Sequence, residues 1–451
     1  MRKIILFVVV LLALVVALGV GGSWFISRSA GSFDDEQKAL VELAEKAGAT
    51  SLGVTRTDDG GLRFKGYLEG HPFNLAVPWR WNKQVVLWAN GYSPPGAWNN
   101  LGVAANPLDR DALGVVRTPY ARGFAVGESA YDKSGVAVES AIENTYRLKQ
   151  FTDRLGSTRA YMFGGSMGGN ITMGLIEKYP HEFAGAIAAC GVVGDWPRQI
   201  GWMIDIRAAY NYFTRGTAYE LPGDKSIARS ALASFPSGPL NYVAPATLAV
   251  QILRVRAPML ALFAVAKAHP GGAEDRIIDN IVAVAGTVKD PAAFAVPLAT
   301  LALGQDDINA TFGGPIYDNS AKTYSSPHLS EAENAALNRD IERVHADPAA
   351  VAKANAWYKP TGRFDAKLIS IYNAVDPLVP TDVHEPMLRE AIAQAGNGAN
   401  FVDRQVPQKE DPHVLGSDTP GLAHCGFTSE QIVAAVNDVI GWVETGNKPN
   451  P

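Results

Sequence analysis

The stretch Gly164-Gly165-Ser166-Met167-Gly168-Gly169 constrains this chain more than any other. Just before it, Thr158 to Phe163 is a short β-branched and aromatic run that reads as a buried strand. Just after it, Ile171, Leu175 and Ile176 fall at helical spacing and run to a stop at Pro180. A serine in so tight a turn between strand and helix needs strained backbone angles. Gly164 and Gly168 therefore have to be nearly side-chain-free. The turn carries the serine hydroxyl to the C-terminal edge of a sheet, beside the unpaired N–H groups that open a helix. The plain alternative is a glycine-rich turn with an incidental serine, and only partners elsewhere in the chain decide between the two.

Those partners need a scaffold, and the order of apolar runs supplies one. A helical stretch covers Gln37 to Ala47, and Leu62 to Leu68 with Pro72 to Pro78 read as a hairpin. Gln84 to Ala89 is an apolar strand that runs straight into Asn90-Gly91-Tyr92. Gly123 to Ser129 is the next strand. Val138, Ala141, Ile142, Leu148, Phe151 and Leu155 then mark one face of a long helix that Gly156 ends, with Glu143 and Arg147 spaced to pair on its surface. Phe183 to Ala189 is a further strand, closed by Cys190-Gly191. Such alternation calls for a parallel sheet.

From Asp195 to about Arg363 the alternation stops and the pattern turns helical, with Gly and Pro breaks. It resumes at Lys367 to Tyr372 and Asn400 to Val406, and Thr428-x-x-Gln431 is a capping box for a last helix. The expected division is a leader over 1–30, a first core part over 31–194, a helical cap inserted over 195–365, and a second core part over 366–451. The cap is rich in Ala, Leu, Ile and Val around Leu248 to Val265 and Ile277 to Val284. That suits a substrate with a hydrophobic part, or simple packing on the core or on a second subunit.

Arg2 and Lys3 precede an unbroken apolar run from Ile4 to Val20. A positive start followed by a long apolar region is an export signal, with Ala17-x-Gly19 or Ser27-x-Ser29 as small-residue cleavage positions. The run is also nearly long enough to span a bilayer, so an uncleaved membrane anchor competes with a cleaved signal. Either puts the body of the protein outside the cytoplasm. With 451 residues, a formal charge of -5 and no basic stripe, nothing points to nucleic acid as a partner. No His-Glu-x-x-His and no Cys-x-x-Cys is present, and the glycines around Ser166 lack the Lys-Ser/Thr of a phosphate loop. Neither metal nor cofactor is expected. Asn309-Ala310-Thr311 matches a glycosylation acceptor, and in an exported chain of bacterial style the match reads as chance rather than use.

The candidate partners of Ser166 are Asp376 and His424. Asp376 follows the Lys367 to Tyr372 strand within a few residues and is braced by Pro377; Asp382 and Asp403 are its rivals. His424 stands just before the capping box of the last helix; of the eight histidines, His413 in the same loop region is the one rival. The chemistry needs each residue type. A serine hydroxyl is a weak nucleophile until an imidazole removes its proton, and a carboxylate holds the imidazole in one tautomer and stabilises its charged form.

With Gly164-x-Ser166-x-Gly168 at a strand–helix junction and the order Ser166, Asp376, His424, the chain resembles the α/β-hydrolase superfamily over most of its length outside the insertion. The resemblance implies a mostly parallel sheet with helices on both faces and a large, mainly helical cap. It makes Ser166 the nucleophile of an elbow, and it puts an oxyanion hole at the backbone N–H groups of Tyr92 and Met167, with Gly91 turning the loop. The Asp376-Pro377-Leu378-Val379-Pro380 loop, the His424-Cys425-Gly426-Phe427-Thr428 string and the closing Trp442-Val443-Glu444 are similar to exported bacterial esterase-type members. The His-Cys pair also resembles the tannase and feruloyl-esterase family, where a disulfide joins the residue before the serine to the residue after the histidine. Here the serine-side residue is Gly165, so that linkage cannot form.

The chain has two cysteines, Cys190 at the active-site end of its strand and Cys425 beside His424. In an oxidising compartment they are expected to pair; two free buried thiols are the alternative. The implied function is an exported serine hydrolase that cleaves small-molecule or polymeric carboxylic esters through an acyl-enzyme. A peptidase or acyltransferase on the same three residues, and a non-catalytic binding protein on the same scaffold, are the competing readings.

Overall fold

The computed structural model describes residues 33–96, 107–110, 113–232, 243, 245–414 and 419–451. The N-terminal leader or anchor expected over 1–30 lies outside the described residues. The first half of the chain forms α1 (Asp35–Lys46), β1 (Ala49–Arg56), β2 (Leu62–Leu68), β3 (His71–Val77), β4 (Gln84–Ala89), α2 (Arg117–Ala121), β5 (Ala125–Ser129), α3 (Val138–Arg154), β6 (Arg159–Gly165), α4 (Met167–Lys178) and β7 (Gly185–Ala189). Six helices follow among the described residues: α5 (Trp196–Phe213), α6 (Pro245–Ala268), α7 (Ala273–Ala285), α8 (Pro291–Phe312), α9 (Glu331–Asp340) and α10 (Pro348–Tyr358). The chain then returns to the sheet through β8 (Lys367–Asn373), α11 (Thr381–Gln394) and β9 (Phe401–Val406), and ends with a small β10 (Glu410–Asp411) and β11 (Gly421–Leu422) pair and α12 (Ser429–Thr445).

The main sheet runs β1-β2-β3-β5-β4-β6-β7-β8-β9. The pairs among β1, β2, β3 and β5 are antiparallel, and every pair from β5 through β9 is parallel. This is the α/β-hydrolase fold, with one more antiparallel strand at its edge. Period-two alternation divides the strands between two helical layers. In β4, Val85 and Leu87 join the core beneath α3 and α4, while Val86 joins the one beneath α2 and α12. In β6, Ala160 and Met162 face the first layer, and Tyr161 and Phe163 the second. The inserted helices do not form a separate core. Ile204, Met259, Phe294 and Leu301 belong to the same buried cluster as the strands.

Two local expectations differ. Glu143 and Arg147 do not pair along α3. Arg147 reaches Glu69 at 2.7 Å, and Glu143 takes Lys178. Tertiary neighbours offer each charge a partner closer than its own helix does, and a surface i,i+4 pair is worth too little to compete. The edge strand β1 was not foreseen in the mixed sequence before Gly60.

Glu385 of α11 is buried, with Ser370 of β8 donating to both its carboxyl oxygens at 3.2 and 3.0 Å. Burial pushes its pKa up to about 8, so at neutral pH the folded protein holds a proton there that the unfolded chain does not. Stability from this group is therefore present at low pH and is lost as pH rises from the ordinary glutamate range through about 8. Glu385→Gln, which stays neutral, is expected to flatten that loss and to stabilise by on the order of 3 kcal/mol at pH 7. Urea titrations of both proteins at pH 5 and pH 8 check it, with the gap widening at the higher pH.

Candidate active site

The parallel strands reverse their order of growth at β4, which lies between β5 and β6, and the crevice at such a switch point is where ligands bind in open α/β sheets. Ser166 leaves β6 there. Its backbone sits at φ 58° and ψ −125°, a region that only tight surrounding structure can impose on a residue with a side chain. The glycines make it possible. A Cβ on Gly164 would lie 2.2 Å from the Gly168 carbonyl oxygen, and one on Gly168 would lie 2.2 Å from that of Ala89. The α4 helix is thus pressed onto both its own strand and the end of β4.

The structure brings Ser166, His424 and Asp376 together. His424 Nε2 is 2.9 Å from Ser166 Oγ. Its Nδ1 is 2.8 and 3.0 Å from the two Asp376 carboxyl oxygens. Asp376 also accepts the backbone N–H groups of Leu378, Val379 and Cys425 at 2.8, 2.9 and 2.9 Å. Burial would raise the pKa of so enclosed a carboxyl. The His424 imidazole and the N–H donors more than offset that, and hold it below the ordinary carboxylate range. An ionised Asp376 can only accept, so Nδ1 carries the imidazole proton and Nε2 is left to accept from the serine hydroxyl.

The rivals are elsewhere. His413 lies on an exposed turn, Asp382 is exposed, and Asp403 pairs with Arg389 at 2.8 Å. His384 is a fully buried histidine, its Nδ1 accepting from Gly194 N–H and its Nε2 bonded to Gln199 Oε1 at 2.9 Å each. Burial drops its pKa to about 3, which leaves it neutral and structural. Asn309 uses its amide to bond the Ala228 carbonyl at 2.9 Å.

The loop after β4 lies against the nucleophile. A Cβ on Gly91 would meet Ser166 Cβ at 3.3 Å, and Tyr92, Ser166 and Met167 line one cavity. Asn90 pins that loop: its side chain accepts from Trp88 Nε1 at 2.9 Å and donates to Glu128 at 3.1 Å, and its carbonyl accepts from the Tyr131 hydroxyl at 3.0 Å. Met167 opens α4, so its N–H has no acceptor within the helix. The Tyr92 hydroxyl is buried without a hydrogen-bond partner among the described residues, and it lies 2.3 Å from where a Cβ on Gly304 of α8 would sit.

Cys190 and Cys425 form a disulfide, their Cα atoms 5.3 Å apart across 235 residues of chain. Both, like Ser166, have positive φ, at 44° and 54°. The bond ties the end of β7 to the residue after His424, with Cys425 Sγ 3.5 Å from His424 Nε2. Replacing both cysteines by alanine is expected to cost about 2–5 kcal/mol of stability. It should also lower kcat by about 10- to 100-fold through a looser histidine. Thermal melts and steady-state kinetics on the double variant check this. An unchanged kcat would mean the backbone alone holds His424.

Two contacts escaped the sequence. Asp290, the N-cap of α8, accepts the Leu422 N–H at 3.2 Å, and Arg256 of α6 donates to the Val414 carbonyl at 3.1 Å. Inserted helices thus grip the loop that carries His424. Asp290 before Pro291 is readable as a helix start, but nothing in the sequence shows that its carboxylate is shared with a loop 132 residues on.

No protein-family model and no curated protein matches the sequence. Among solved structures, the chain is similar to feruloyl esterase B from Aspergillus oryzae, at 11% identity and a TM-score of 0.42, over 92% of this chain and 91% of that one. It is similar to the rice cell wall degrading esterase LipA from Xanthomonas oryzae at 13% identity and a TM-score of 0.39, over 90% and 95% of the two chains. It is also similar to a putative dipeptidyl aminopeptidase IV from Bacteroides ovatus at 10% identity and 0.37, over 87% of this chain but 35% of that one. These likenesses are too distant to bear on substrate.

Proposed function

We propose that this protein is an exported serine hydrolase that cleaves carboxylic esters through an acyl-enzyme. The observation that carries the reading is the unbroken line of hydrogen bonds from Asp376 through His424 to Ser166 Oγ. In this scheme His424 takes the serine proton as Ser166 attacks the ester carbonyl, then returns it to the leaving alcohol. Asp376 steadies the imidazolium. The N–H groups of Tyr92 and Met167 stabilise the tetrahedral oxyanion. Water repeats the sequence to release the acid. The inserted helices serve as a cap over the site. Export is supported by the disulfide, a bond favoured in oxidising compartments, together with the apolar leader.

The test joins a fluorophosphonate label, located by mass spectrometry, to turnover of p-nitrophenyl esters from acetate to palmitate. Labelling at Ser166 with ester turnover is the expected result. Labelling without turnover on any ester would favour a peptidase or acyltransferase. Neither labelling nor turnover would favour a binding protein.

A further inference from the structure

Ser166 opens into a cavity of about 30 Å³ whose walls are almost wholly apolar, among them Met203, Ile308 and Leu378. That is space on the scale of a short acyl chain. A far larger chamber of about 550 Å³ lies between α3 and the inserted helices, floored by Phe312 and Trp357 and edged by Lys133 and Arg147. Trp196 and Val136 line both cavities. They are the partition between a small space at the nucleophile and a large one behind it.

The partition is built rather than incidental. Trp196 is the first residue of α5 and is 4% exposed. Its indole N–H donates to Asn170 Oδ1 of the elbow helix at 3.0 Å, and its ring packs 6.4 Å from that of Phe312. Val136 is 3% exposed, and its N–H donates to Asp307 Oδ2 at 3.2 Å. The neighbouring Gly135 is pressed so close to Asp307 that a Cβ there would overlap the carboxylate, at 1.9 Å. The indole is fixed by a directional bond and the valine by its backbone, so neither swings aside at little cost.

We propose that Trp196 and Val136 are specificity-determining residues that limit the substrate's acyl group to a short chain, by walling the small Ser166 cavity off from the large one. The inference rests on the ester-hydrolase reading above. Removing the wall joins the two cavities, and a longer acyl chain then threads past position 196 to lie over Phe312 and Trp357. The alcohol side of the ester is not constrained by this wall.

The test is kcat/KM for p-nitrophenyl acetate, butyrate, octanoate and laurate with the wild type, Trp196→Ala and Val136→Ala. The wild type is expected to favour butyrate over octanoate by at least about 100-fold, since two or more of octanoate's extra methylenes find no room and each excluded methylene is worth roughly tenfold or more in a fixed pocket. Trp196→Ala should move that ratio towards octanoate by about 100-fold, and Val136→Ala by about tenfold in the same direction. If Trp196→Ala does not fold, as judged by circular dichroism and its melt, Val136→Ala carries the test. A wild type that prefers octanoate or laurate overturns the inference, as do folded variants that keep the wild-type chain-length profile. Either result leaves the ester-hydrolase reading standing. A wild type that turns over no ester removes that reading and this inference with it.

Discussion

Ser166→Ala is expected to lower kcat on an ester substrate by about 10⁵–10⁶-fold while leaving a folded protein. The substitution removes one oxygen and one hydrogen bond, that to His424 Nε2, at a site open enough for water to take the place. The Cβ stays. The strained φ of 58° is therefore unchanged, and the glycine contacts that enforce it are untouched. A melting temperature within about 2 °C of wild type is expected, because one partly exposed hydrogen bond contributes about 1 kcal/mol. Loss of rate with an unchanged melt separates chemistry from folding. Turnover above about one per cent of wild type would mean another nucleophile does the work, and fluorophosphonate labelling of the variant would then find it. Burst kinetics on the wild type complete the measurement, since an acyl-enzyme that forms faster than it breaks down releases its first equivalent of p-nitrophenol ahead of the steady state.

The residues that meet at Ser166 were legible because each is fixed by its own few neighbours. The elbow glycines announce a close approach of backbone to backbone, and the Cβ positions at Gly164 and Gly168 bear that out. The disulfide was legible because each of two cysteines stood at a strand end or loop already assigned to the same edge. What failed to show is what depends on distance along the chain. Strand β1 has only Leu52 and Val54 as an apolar alternating pair among Thr50, Ser51, Gly53 and Thr55, and its pairing with β2 slips between Thr50 and Gly53. An edge strand with one exposed face lacks the signal that marks a buried one. Asp290, Arg256 and Trp196 look in sequence like a helix cap, a surface cation and a core aromatic. Only the fold shows that the first two hold the histidine loop and that the third walls the serine cavity.

Asp376→Asn is expected to lower kcat by about 10⁴-fold, and the reason lies in the donors around it. The wild-type carboxylate accepts four: the imidazole Nδ1–H and the N–H groups of Leu378, Val379 and Cys425. A carboxamide has a single acceptor oxygen. Turned so that its oxygen meets the Leu378 and Val379 amides, it presents N–H to His424 and to the Cys425 amide. The imidazole then gives its proton to Nε2, donates to Ser166 instead of accepting from it, and can no longer act as base. The Cys425 N–H loses its acceptor, which costs about 1–3 kcal/mol of stability. Rate and melting temperature should therefore both fall, in contrast to Ser166→Ala. The double variant decides whether the two residues act as one unit. If Asp376 works only through His424 on Ser166, adding Asp376→Asn to Ser166→Ala lowers the residual rate no further. A multiplied loss would place part of Asp376's role outside that line, most directly in holding the Cys425 end of the disulfide through its bond to the Cys425 N–H.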